Sequence, residues 1–218
     1  MTSPRCRTLS DMEFQITDTY EDDFVSVQGV GGSGTFITPK QGTGFIAVER
    51  GGLLIDGSWL LSAGFYACTL PNSKVAYTDC RALIVIAKHY DGFFSVGGTI
   101  EKTGRLRYID GCSDTALIPP PKLGDPCLNF LHFPSQIDQT RHTHSSLRAG
   151  IVMRGFGVCK FRGGFEIMEQ GDIFVIPPNI FHSFHTDNEI MDIVAFNPDS
   201  AFGPTDEQYQ LQNVIQCK

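Results

Sequence analysis

The sequence predicts an all-β protein. Glycine and proline, 23 and 12 of the 218 residues, are spread along the whole chain, as many short strands joined by tight turns require. Charged residues make up 19%, below the usual quarter. Apolar runs such as Phe24-Val25-Ser26-Val27, Gly44-Phe45-Ile46-Ala47-Val48 and Ile173-Phe174-Val175-Ile176 are short and stop at glycine, proline or asparagine.

Taken in order, residues 1–23 are polar, end in Glu21-Asp22-Asp23, and read as an N-terminal arm. The run Gly29 to Gly34 that follows satisfies the dinucleotide-binding spacing G-x-G-x-x-G. That fingerprint has to open a helix. Here it leads into Thr35-Phe36-Ile37-Thr38-Pro39, a β-rich segment, so it reads as a glycine-rich turn. Arg81 to Ala87 is apolar enough for a buried strand, and His89 at its end reads as a surface histidine.

An internal repeat emerges on overlaying the halves. Arg50-Gly51 falls on Arg154-Gly155, and Gly64 through Asn72 falls on Gly171 through Asn179. The prolines of Ile118 to Pro126 exclude helix and mark a boundary. The organisation expected is therefore an arm (1–23), a first barrel (24–97), a connection (98–126), a second barrel (127–198) and a tail (199–218).

The chemistry concentrates in the second barrel. His142 and His144 stand two apart, which on a strand puts both imidazoles on one face. A third histidine, His182, returns after the turn Pro177-Pro178-Asn179, while His185, three residues further, faces away on a regular strand. These residues resemble a cupin. His142, His144 and Gly155 take the places of the first cupin motif, and Gly171, Pro177, Asn179, His182 and Thr186 those of the second. Two expected glycines are replaced, by Gln136 and Asn179, and the usual carboxylate ligand by Arg148. The resemblance implies a double-stranded β-helix barrel, here two in tandem, and a three-histidine metal site at His142, His144 and His182. In the repeat their places are held by Thr38, Lys40 and Val75, so the first barrel is expected to lack a metal and to pack or dimerise.

Three neutral imidazoles leave a divalent ion with open positions and its full charge. Imidazole suits iron, zinc, nickel and copper alike. Three-histidine cupins include iron dioxygenases, so Fe(II) is the first expectation, with Zn, Ni or Mn as alternatives. A guanidinium cannot ligate a metal, so Arg148 is expected either to hold an anionic, chelating substrate, with Arg141 or Arg154 in second place, or to turn outward into a surface pair. Phe133, Ile151, Met153 and Phe184 are expected to exclude water, and His132 to move protons at the barrel mouth. Two alternatives belong to other classes: a redox-silent Zn or Ni lyase or isomerase, and a binding protein without chemistry.

Composition narrows the rest. A net charge of −7 and no basic stripe disfavour nucleic-acid binding. The longest uncharged window, the 17 residues Gly57 to Ser73, is too short and too polar to span a bilayer. Seven cysteines without repeated spacing fit reduced thiols. The expectation is a soluble cytoplasmic protein, a homodimer by resemblance, with no Ser-His-Asp pattern and no phosphate-binding loop.

Overall fold

The computed structural model describes residues 14–206. The first strands are β1 (Gln15–Ile16), β2 (Thr19–Glu21), β3 (Val25–Ile37), β4 (Thr43–Ile55), β5 (Trp59–Ser62), β6 (Tyr66–Thr69), β7 (Lys74–Ala87) and β8 (Ser95–Gly97). The second set is β9 (Leu106–Arg107), β10 (Ser113–Ile118), β11 (Cys127–Phe133), β12 (Arg148–Phe161), β13 (Gly164–Glu169), β14 (Ile173–Ile176), β15 (His182–His185) and β16 (Met191–Asn197). Strands β2 to β8 form one antiparallel sheet; β1 and β9 to β16 form the other.

Both sheets fill an interior of their own and share a third apolar layer. Along β4, Ile46 and Val48 point into the first interior, while Phe45 and Ala47 face the other sheet. Along β12, Val152 points into the second interior, and Ile151 and Met153 face the first sheet. Period-two alternation thus serves two cores at once, which is why Ala82 to Ala87 is apolar at every position and wholly buried. Phe45 and Phe196 meet across the shared layer with ring centroids 5.0 Å apart. At the layer's edge, Arg81 Nε donates to the Gly171 carbonyl at 2.7 Å and Gln170 Nε2 to Glu49 Oε1 at 2.7 Å.

Several expectations change here. The glycine-rich run is no turn: Gly29 to Gly34 lies inside the 13-residue β3, and the register shifts between Gly32 and Gly34. Without a β-carbon, Gly29 lets the Asp18 carboxylate and the Ile173 side chain approach to where a side chain would stand. Of the arm, residues 1–13 lie outside the described residues; β1 pairs with β14 and β2 with β3, so the next residues join both sheets. The stretch read as a connection supplies β9 and β10 to the second sheet.

The repeated turns have one backbone. Gly64 and Gly171 have φ of 82° and 90°, Gly51 and Gly155 of 78° and 71°, Asn72 and Asn179 of 59° and 62°. Left-handed φ is costly with a β-carbon and least so for asparagine among side chains. Gln136, at another expected glycine, also has a left-handed φ of 65°. The cupin glycine positions therefore keep their conformation where the glycine itself is gone.

Candidate metal centre

The three histidines converge. His142 and His182 exchange backbone hydrogen bonds (3.0 and 2.9 Å), and the Asn179 amide donates to the His144 carbonyl at 2.7 Å. His142 stands in an isolated bridge rather than a regular strand, yet its ring and that of His144 still turn to one point. Ring centroids are 4.6 to 5.3 Å apart. One nitrogen from each ring lies within 4.8 Å of the other two, close to the ~4 Å that two nitrogens on one first-row ion can span at ~2.1 Å each.

The tautomers are set from behind. His142 Nδ1 is 2.9 Å from the Thr140 carbonyl and His182 Nδ1 is 2.9 Å from that of Ile180. A carbonyl can only accept, so Nδ1 carries the proton and Nε2 keeps its lone pair, the arrangement of a metal-ligating histidine held by its surroundings. Burial, then the Arg148 guanidinium and the other two imidazoles, lower His144 to about 3. Burial, then His142 and Arg148, lower His182 to about 4 against the opposing bond to Ile180. Both rings are neutral at pH 7, as ligation requires.

A cavity of about 240 Å³ opens beside the triad. Phe133, Phe174 and Phe184 form its apolar wall. Arg148 enters from β12 on the same face as Val152, with its side chain only 17% exposed. Its Nη1 donates to Ser146 Oγ (2.5 Å) and the Leu147 carbonyl (2.9 Å), and lies 3.3 Å from Asp199 Oδ1. Arg148 is thus a buried cation facing the cavity, half-answered by one carboxylate.

Other expected residues lie elsewhere. His132 is on the opposite face of β11 from Asn129, Leu131 and Phe133, and its Nδ1 sits 2.6 Å from Asp192 Oδ1, whose other oxygen accepts from Arg154 Nε at 2.6 Å. A proton-moving role for His132 at the mouth is therefore corrected: strand alternation turns it toward the other sheet. The same parity removes Ile151 and Met153 from the cavity, while Phe133 and Phe184 line it as expected. Arg141 lies over the Phe181 ring at 5.8 Å, outside the cavity.

His185 faces away from the triad, with Nε2 2.7 Å from Ser183 Oγ and Nδ1 2.7 Å from Asp138 Oδ1. Three residue types of a hydrolytic triad thus meet where the sequence showed no such pattern. Their geometry is wrong for it: Nδ1 makes no aligned hydrogen bond and the Asp138 side chain is 89% exposed.

Sequence reasoning missed part of the cavity's polar lining, Tyr108, Asp114, Asn129 and Asp199. Two of them come from the stretch read as connection and one from the tail.

Residues 124–208 match the family of AraC-like ligand binding domains. No curated protein matches the chain. Among solved structures, a cupin 2 conserved barrel domain protein from Leptotrichia buccalis superposes with a TM-score of 0.60 at 16% identity, over 91% of this chain and 92% of its own. A protein described as glyoxylate-induced, from Pseudomonas aeruginosa, gives 0.62 at 12%, over 94% and 96%. Salicylate 1,2-dioxygenase from Pseudaminobacter salicylatoxidans gives 0.57 at 11%, over 80% and 70%. These likenesses, at 11 to 16% identity, show that the chain has the fold of a cupin barrel.

Proposed function

We propose that the protein is a three-histidine metalloenzyme of dioxygenase type, using Fe(II) to act on a small anionic substrate that chelates the metal. One observation carries the reading: Arg148 stands as a buried cation in the same apolar-walled cavity as three converging imidazoles, two of them held neutral. Bound there, the metal would supply a Lewis-acidic centre with open positions for substrate and oxygen. His142, His144 and His182 would hold it, and the bonds from Thr140 and Ile180 keep Nε2 of His142 and His182 forward. Arg148 orients the substrate anion through charge-assisted hydrogen bonds. Phe133, Phe174 and Phe184 keep bulk water from the reacting end. The neighbour that acts on salicylate at a comparable fold supports this choice. Five described cysteines are buried free thiols, which supports a reducing, cytoplasmic setting.

The match to AraC-like ligand binding domains favours a second reading, capture of a small ligand without turnover. The matched geometry of the repeated turns supports two tandem barrels related by duplication. Metal analysis of protein purified without chelator, followed by oxygen-uptake screens of chelating acids, tests the proposal. Stoichiometric iron with acid-dependent oxygen consumption is expected. Ligand binding with no oxygen uptake by the iron-loaded protein would overturn the dioxygenase reading.

A further inference from the structure

The cavity end opposite in character to the apolar wall is not explained by metal binding. Asn129 on β11 is 8% exposed, and its Oδ1 is buried with no hydrogen-bond partner. Its Nδ2 is engaged, donating to Asp114 Oδ2 on the neighbouring β10 at 3.4 Å. Both side chains line the cavity, as do Tyr108, Arg148 and Asp199. An acceptor buried and left unanswered costs the folded protein the desolvation of that oxygen. Nothing in the barrel's packing requires it, since β11 buries Leu131 and Phe133 on the same face without polar help.

We infer that Asn129 Oδ1 and the Asp114 carboxylate form an acceptor subsite for a hydroxyl group, so that the ligand is a small hydroxylated carboxylate held by its anion at Arg148 and by its O–H at Asn129. The anion-binding half rests on the role proposed for Arg148; the acceptor half stands on Asn129 and Asp114 alone. Two features select a neutral donor, and a third limits the ligand's size. The Arg148 guanidinium lines the same cavity, so a second cation on the ligand would meet a positive charge already there. Burial raises the Asp114 carboxyl above its usual range, making it a poorer counter-ion and a better hydrogen-bonding partner. The cavity of about 240 Å³ holds roughly eight waters' share of liquid, which limits the ligand to small acids.

Matched acids test this by titration into the metal-free protein, followed by NMR: butanoate, 2- and 3-hydroxybutanoate, and 2-aminobutanoate. At least one hydroxybutanoate is expected to bind about fivefold tighter or more than butanoate or the amino acid, the least that one answered buried acceptor should give. Asn129→Leu should abolish that gap while butanoate affinity and metal uptake stay at the parent's level. Asp114→Asn, which keeps shape, should narrow it, and serves if the leucine variant does not fold. Failure of the parent to prefer either hydroxy acid, tighter binding of 2-aminobutanoate, or a gap that survives Asn129→Leu would each overturn the inference. The Arg148 reading fails on a different arm: butanoate affinity unchanged in Arg148→Ala sinks it and leaves the hydroxyl gap readable.

Discussion

The two sheets carry the same turns and opposite chemistry at their mouths. Gly64 and Asn72 repeat the left-handed backbone of Gly171 and Asn179, and the amides of Gly64 and Gly171 donate to Val48 and Val152 alike. Where the second sheet presents His142, the first has Thr38, whose Oγ1 donates to the Leu70 carbonyl at 3.0 Å and accepts from the Ser73 amide at 2.8 Å. That hydroxyl is buried and engaged in closing its own turn. The comparison teaches that a barrel keeps its shape through backbone turns, and that a metal site is three side chains placed on top of them.

The sharpest way to break the contrast is to remove the ligands. His144→Ala and His182→Ala should each lower metal content to background by elemental analysis, whereas Thr38→Val leaves it unchanged; metal retained in both alanine variants would end the three-histidine assignment. Next in size is Asp192→Ala. It strips the partner from Arg154 and His132 in a carboxylate that is wholly buried, and should cost about 3–5 kcal/mol in urea unfolding. Had His132 been a cavity group, the same change would alter ligand binding more than stability. Thr38→Val, which leaves the buried Ser73 amide unanswered, should cost about 1–3 kcal/mol. Arg148→Ala should weaken binding of a small carboxylate about tenfold or more, with folding little changed, because Asp199 is half-exposed and rehydrates.

A further prediction is a pH dependence that originates in the second sheet. In the metal-free protein His144 and His182 are lowered to about 3 and 4, while in the unfolded chain histidine takes its proton near 6.5. Between those values the unfolded state binds more protons, so stability rises with pH. The metal-free protein should therefore lose stability as pH falls from about 6.5 toward 4, and bound metal should shift that loss downward. A urea midpoint flat across that window would contradict neutral, buried rings.

Legibility followed physical range. Gly155, Gly171 and Asn179 could be read because a left-handed turn leaves a local mark on residue choice, and the three histidines because their spacing carries the motif. Arg148 was legible as a substitution; its approach to Asp199, 51 residues away, was not. His132 was misplaced by parity alone, since one residue along a strand exchanges interior for exterior. The glycine run of β3 was misread because a strand that must let another segment approach closely and a turn that must reverse both select glycine.

By itself the sequence determined that the chain is all-β, that its halves share turns, and that one half holds an imidazole triad, because alternation, left-handed φ and motif spacing are written in neighbouring residues. Only the tertiary structure decided which faces of β11 and β12 meet the cavity, that Ile151 and Met153 belong to the layer between sheets, and that Asp114 and Asn129 stand in the same cavity as Arg148. Those outcomes depend on strand pairing across long separations, and a pairing is fixed by the packing of whole sheets rather than by any segment's own residues.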